Sequence, residues 1–322
     1  MGRLVFMGSP EFALPGLEAL LADGHEIALV LSRPEQPAGR GRGMKSTAVA
    51  AFARERGLPL ETPARLRDGA LRERLAALEA DLFAVVAYRI LPPALLEVPR
   101  LGSINLHGSL LPDYRGAAPI ERALMDGATR TGLTTFLLER GVDTGRILEQ
   151  VETPVGEDET AGELRARLMI LGAPLLARSV REVLEGRHRP QPQPEGSFPP
   201  APKLSPADRG LDFALGARVL HNRIRALAPE PGALALFRGL PLQVLRTRVE
   251  REAGGGEPGR LRKQGGRLFA ACGAGELEIL ELAAAGRKHL AAAAWLAGAR
   301  LGEHEHLERV PAGSATQPGD AA

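Results

Sequence analysis

The chain has 322 residues, 44% of them apolar and 25% charged, with 41 Lys and Arg against 39 Asp and Glu for a net charge of +2. That composition is the one of an ordinary soluble globular protein, and its length predicts two domains. The one cysteine, Cys272, excludes an internal disulfide framework and a cysteine-ligated zinc site. No segment approaches the roughly 18 apolar residues that a membrane span needs. Met1 to Phe6 lacks the basic-then-apolar pattern of a leader, and Phe6 stands where a myristoylation signal needs Ser or Thr, so a cytoplasmic protein is expected. Nothing in the sequence demands more than a monomer.

Strand-like and helix-like segments alternate through the first half. Leu4 to Met7 reads as a strand, leading through Gly8-Ser9-Pro10 into a helix over Phe12 to Leu21, with Leu14, Leu17, Leu20 and Leu21 at helical spacing. Glu26 to Leu31 is a second strand, and Ala48 to Arg56 and Ala70 to Ala80 are helices. Leu82 to Ala87 is a continuous apolar run, expected of a strand covered on both faces. Ser103 to Leu106 is a strand, Pro119 to Met125 a helix and Gly132 to Leu138 a strand. Such alternation predicts a doubly wound, mostly parallel α/β sheet of Rossmann-like type, with ligands beyond the carboxyl ends of its strands. Gly8-Ser9-Pro10 lacks the glycine fingerprint of a dinucleotide site. Thr160 to Leu184 reads as one long helix, or two broken near Gly172 and Pro174, with Thr160 and Glu163 as a capping box.

Six prolines between Arg189 and Pro202 mark a stiff linker. Beyond it come a helix over Ala214 to Leu227 and strands at Leu234 to Phe237, Leu242 to Val249, Arg267 to Cys272 and Leu277 to Leu282. These short strands between Gly-rich turns predict a small OB-like β-barrel. A short helix at Ala291 to Leu296 follows. The expected organisation is a domain over 1–188, a linker over 189–205, a barrel domain over 206–310 and a flexible tail over 311–322.

The chemistry concentrates in Ser103-Ile104-Asn105-Leu106-His107-Gly108-Ser109-Leu110-Leu111-Pro112. Two residues apart on an extended backbone, Asn105 and His107 point to one face. The amide N–H can stabilise an oxyanion, and the imidazole can accept or donate a proton. Asp143, between Gly141 and Gly145, can orient the imidazole or carry a proton through water. A turn carboxylate bonding its own backbone is the plain alternative for Asp143. The other histidines show no ligand spacing, and no metal site is expected.

Taken together, Ser103 to Leu148, the run Tyr114-Arg115-Gly116-Ala117-Ala118-Pro119, Gly8-Ser9-Pro10-Glu11-Phe12-Ala13, Arg33-Pro34 with Pro37-Ala38-Gly39-Arg40-Gly41, and Asn222-Arg223-Ile224-Arg225-Ala226 resemble the folate-dependent formyltransferases over nearly the whole chain. The resemblance implies formyl transfer from 10-formyltetrahydrofolate by Asn105, His107 and Asp143. Tetrahydrofolate is then expected against Ser109, Leu110, Leu111 and Pro112, with Tyr88, Ile90 and Leu91 walling its pterin. The segment after Tyr88 is shorter than usual in that family, and Glu230 stands where it usually has tryptophan. The expected acceptor is the methionine of initiator Met-tRNA, contacted by a loop carrying Arg40, Arg42 and Lys45; an amino sugar nucleotide or glycinamide ribonucleotide is the alternative. All but four of the 41 Lys and Arg residues are arginines, which suit phosphate. Eight cations between Arg238 and Arg267 suggest a phosphate-facing surface on the second domain.

Overall fold

The computed structural model describes residues 1–38, 43–284 and 286–311. Arg40, Arg42 and, apart from Pro311, the expected tail lie outside the described residues. The chain divides into two units, one of Met1–Pro119, Arg130–Pro154 and Arg165–Ala201, the other of Ile120–Thr129, Val155–Leu164 and Pro202–Ala322.

In the first unit, β1 (Arg3–Gly8), β2 (Glu26–Leu31), β3 (Leu60–Glu61), β4 (Leu82–Val86) and β5 (Ser103–His107) run parallel. Next, β6 (Arg130–Leu137) lies antiparallel to β5, and β7 (Ile147–Pro154) antiparallel to β6. The sheet order is β7-β6-β5-β4-β1-β2-β3. Helices α1 (Leu14–Ala22), α2 (Ala48–Glu55) and α3 (Gly69–Ala77) belong to this unit, α4 (Pro119–Met125) falls in the second unit from Ile120 on, and α5 (Ala161–Leu184) belongs to this one from Arg165 on.

Strand alternation sorts the core into two layers. Val5, Met7, Leu29, Leu31, Phe83 and Val85 form one cluster with Leu71 and Leu75 of α3. On the other face, Gly16 of α1 lies against Leu176 and Val86, and a Cβ at Gly172 of α5 would stand 2.9 Å from the Leu106 side chain. That close approach gives Gly172 its use, and α5 runs unbroken through both Gly172 and Pro174. Burial against the sheet outweighs the hydrogen bond that Pro174 forfeits. Phe6, Phe83 and Phe136 are fully buried, each worth about 1.5–3 kcal/mol for leaving water. Gly8 pairs with Val86, and Val86 with Leu106, so the carboxyl ends of β1, β4 and β5 come level.

Two differences from the sequence expectation bear on the site. Ala87 leaves the strand with φ +48°, which turns the chain toward Tyr88. An unforeseen strand, β7, sits at the sheet edge with only Thr153 buried, so it lacks the apolar run that marks a covered strand.

The second unit holds α6 (Ala217–Leu227), β8 (Ala233–Phe237), β9 (Leu240–Arg251), β10 (Leu261–Gln264), β11 (Arg267–Ala271), β12 (Glu276–Ala284), α7 (Ala292–Ala299) and β13 (Leu307–Glu308). Its antiparallel sheet has the order β10-β11-β12-β9-β8-β13. Leu261 N–H donates to Glu305 O and Leu307 N–H to Gly259 O, both at 2.8 Å, joining the first strand to the last and curling the sheet into a barrel. Leu220, Ile224 and Leu227 on one stripe of α6 enter its core. The stretch Asn222 to Arg225 acts structurally here. Buried Arg225 donates to Asn222 Oδ1 at 3.0 Å and to Gly156 O at 3.1 Å. Arg122 forks onto Asp208 at 2.7 and 3.1 Å. These bonds tie 120–129 and 155–164 to the barrel unit.

Candidate active site

The site begins on β5, where Asn105 faces Val85 on one side and Phe136 on the other. Asn105 is half-buried, and its amide has no side-chain hydrogen bond among the described residues. His107 is buried and meets the Phe136 ring edge-on at 6.4 Å. Its Nε2 lies 2.9 Å from the Tyr114 carbonyl oxygen. A carbonyl only accepts, so Nε2 donates in this contact and Nδ1 is the ring nitrogen that remains. That nitrogen stands 3.7 Å from Asp143 Oδ2. The imidazole's hydrogen-bond partner is thus the Tyr114 carbonyl, with Asp143 beyond direct hydrogen-bond distance.

Asp143 is held in a strained conformation, with φ +52°. Its Oδ2 accepts the Gly116 N–H at 2.9 Å. Of the flanking glycines, Gly145 faces backbone and is needed sterically, whereas Gly141 faces the exposed Thr144 side chain. A Cβ at Gly141 would come 2.1 Å from Thr144 Oγ1, and one at Gly145 1.7 Å from Leu137 O. Tyr114 also has positive φ, at +59°, which turns its carbonyl toward His107.

The turn after β5 is largely self-satisfied. Ser109 Oγ donates to Asp113 O at 2.6 Å, and Thr134 Oγ1 donates to Ser109 O at 2.7 Å while accepting Leu111 N–H at 3.0 Å. Gln150 Nε2 donates to Leu111 O at 2.9 Å. Ser109 and Leu111 are buried, leaving Leu110 and Pro112 half-exposed for a ligand. Around Tyr88, the hydroxyl donates to Ser32 O at 3.4 Å and accepts Arg89 Nη2 at 2.9 Å. Burial raises the Tyr88 pKa against the lowering effect of Arg89. Ile90 is exposed, whereas Leu91 is buried in the core beside α3, so the Tyr88–Leu91 stretch offers a ligand chiefly Tyr88 and Ile90.

Lys45 is exposed, on a two-stranded ribbon in which Gln36–Ala38 pairs with Gly43–Lys45. On the barrel, Arg238, Arg246, Arg248, Arg251, Arg262 and Arg267 all lie within ion-pair distance of carboxylates. The local cation excess is thus mostly neutralised. Glu230 is exposed. Among the described residues no group of three or more His, Cys, Asp and Glu could hold a metal ion, and no helix is long and apolar enough to cross a membrane.

Sequence reasoning missed the Tyr114 carbonyl, the Gly116 N–H, Thr134 and Gln150. Their parts are played by backbone groups or by residues on neighbouring strands, which carry no local signal.

The mostly parallel sheet thus carries an amide and an imidazole on β5, with a carboxylate beside the imidazole. Residues 2–180 match the formyl transferase family and 203–300 its C-terminal domain. The chain belongs to the formyl transferase family. It is 43% identical over 302 residues to the methionyl-tRNA formyltransferase of Pelobacter propionicus, covering 93% of this chain and 94% of that one. It is 40% identical over 306 residues to that of Solibacter usitatus, covering 95% and 98%. A solved N-formyltransferase from Helicobacter canadensis, in complex with folinic acid and dTDP-3-aminofucose, shares the fold at a TM-score of 0.66 and 18% identity, covering 87% of this chain and 98% of that one.

Proposed function

We propose that the protein transfers the formyl group of 10-formyltetrahydrofolate to the α-amino group of methionine on initiator Met-tRNA. One observation carries this reading: His107, on the strand that carries Asn105 two residues earlier, has its Nδ1 3.7 Å from Asp143 Oδ2, in a chain that matches methionyl-tRNA formyltransferases nearly end to end. Identity of 40–43% to methionyl-tRNA formyltransferases, against 18% to the amino-sugar N-formyltransferase, favours tRNA over an amino sugar nucleotide or glycinamide ribonucleotide.

The folate co-substrate supplies an activated formyl carbon. A bond forms from the methionine nitrogen to that carbon as the bond to the folate nitrogen breaks; the amine loses a proton and the folate nitrogen gains one. Asn105 directs its unpartnered amide N–H at the oxygen that gains charge. His107, with Nε2–H fixed on Tyr114, keeps Nδ1 for proton exchange. The 3.7 Å between Nδ1 and Asp143 Oδ2 is too long for a direct hydrogen bond, which favours Asp143 as acceptor of the amine proton, through water, over a role as mere orienter. Leu110, Pro112, Tyr88 and Ile90 bound the folate, with Ser109 and Leu111 supporting the turn and buried Leu91 the Tyr88 wall. Arg40, Arg42 and Lys45 meet the tRNA acceptor end through phosphate. The protein works as a cytoplasmic monomer with two sequence domains, 1–188 and 206–310, and a connection over 189–205.

The test offers the purified chain labelled 10-formyltetrahydrofolate with initiator Met-tRNA, elongator Met-tRNA and a dTDP-amino sugar in separate reactions. Label on the α-amino group of initiator-bound methionine, at a kcat/KM far above that for the amino sugar, is expected. Preferential labelling of the amino sugar would overturn the acceptor.

A further inference from the structure

The proline-rich stretch that reads as a linker folds back on the first unit. Gln191 and Ile147 exchange backbone bonds at 2.8 Å, Tyr114 N–H donates to Pro199 O at 2.7 Å, and Ala117 N–H to Ala201 O at 2.7 Å. Pro200–Ala201 pairs with Arg115–Gly116. A Cβ at Gly116 would lie 2.3 Å from Ala201 O, so this packing admits only glycine at the residue whose N–H holds Asp143.

At the centre of the stretch, Gln193 Nε2 donates to both Asp143 O and Gly145 O at 2.8 Å. Its Oε1 accepts the Arg115 guanidinium at 3.0 and 2.5 Å. Two donors and one acceptor of the amide are therefore used, and every bond bears on the Asp143 loop or on the turn opposite it. The loop needs such a brace. Asp143 has left-handed φ, a conformation that persists only where its surroundings over-determine it. Gly116 N–H grips the Asp143 carboxylate from one side, and Gln193 grips its backbone from the other.

We propose that Gln193 is a positioning residue for the transfer: through the Asp143 and Gly145 carbonyls it holds the Asp143 carboxylate at its working distance from His107 Nδ1, with Arg115 orienting the Gln193 amide. This rests on the participation of Asp143 argued above. A proton carrier displaced by about an ångström can cost on the order of 100-fold in rate, and the Gln193 amide bonds run to protein groups of the Asp143 loop and Arg115.

The experiment measures kcat and KM for both substrates in Gln193→Ala, Gln193→Glu, Asp143→Ala and Gln193→Ala/Asp143→Ala. Gln193→Glu keeps the size and the Arg115 partner but loses both donors to the loop. Gln193→Ala and Gln193→Glu should each lower kcat about 10- to 100-fold with both KM values within about twofold, and Gln193→Ala should cost nothing further once Asp143 is gone. Should Gln193→Ala fail to fold, Gln193→Glu alone decides. Wild-type kcat in Gln193→Glu, or a full additional loss in the Asp143→Ala background, would overturn the assignment. Undiminished transfer by Asp143→Ala alone would instead sink the parent reading of Asp143.

Discussion

Asn105→Ala separates catalysis from stability. The Asn105 side chain is half-buried on β5 and has no internal hydrogen-bond partner among the described residues. Truncation therefore strands no buried donor or acceptor, and the stability change should stay within about 1 kcal/mol. In a chain of this size that moves the melting temperature by at most about 4 °C. The amide N–H is instead free for the oxygen that becomes anionic during transfer. Removing one such donor typically lowers kcat by about 10² to 10³, or about 2.7–4 kcal/mol of transition-state stabilisation. Steady-state formylation of initiator Met-tRNA, with both substrates varied in turn, reads the effect, and the loss should fall on kcat. A kcat within about threefold of wild type in a folded variant would refute the oxyanion role.

Other consequences follow from packing and charge. Gly145→Ala places a Cβ 1.7 Å from Leu137 O, which must shift the Asp143 loop, so kcat should fall more than about tenfold; Gly69→Ala, with nothing within 4 Å, should leave it unchanged. Burial raises the pKa of Asp208, but the Arg122 fork and the Ser205 backbone and hydroxyl groups outweigh it and hold the carboxyl at about 2. A depressed pKa stabilises the fold above the ordinary carboxylate range and is lost as pH falls through the folded value. The melting temperature of Asp208→Asn should therefore lie below wild type at pH 5 and converge on it between about pH 4 and pH 2. Burial pushes the Cys272 thiol up to about 12, so an alkylating reagent at pH 8 should leave the native protein unmodified and label it after denaturation.

Most of the fold is legible in the sequence because its strands are covered on both faces. Leu82 to Val86 is apolar throughout since both helix layers press on it. By contrast, β7 is an exposed edge, and Arg130–Leu137 carries no mark of its antiparallel direction. Asn105, His107 and Asp143 are visible as a chemical set, because an amide and an imidazole two apart and a carboxylate between glycines are unusual company. What aligns them is hidden in contacts between distant parts of the chain. Tyr114 offers a carbonyl, Gly116 an N–H, and Gln193 lies 50 residues beyond the loop it braces. Prolines around Gln193 read as a spacer since their spacing says nothing of the backbone edges they pair with. The Asn222–Arg225 stretch shows a similar limit: its buried charge serves the carbonyls of 156–159, which only the folded unit brings near.

The most direct test of formyl transfer by this site is the stoichiometry of the reaction in the purified chain supplied with 10-formyltetrahydrofolate and initiator Met-tRNA. Tetrahydrofolate is read by absorbance and formylmethionine by mass after release from the tRNA. The two should appear in equal amounts, and both should slow by at least about 100-fold in Asp143→Ala. Tetrahydrofolate released without formylmethionine, or equal rates for the wild type and Asp143→Ala, would contradict the account.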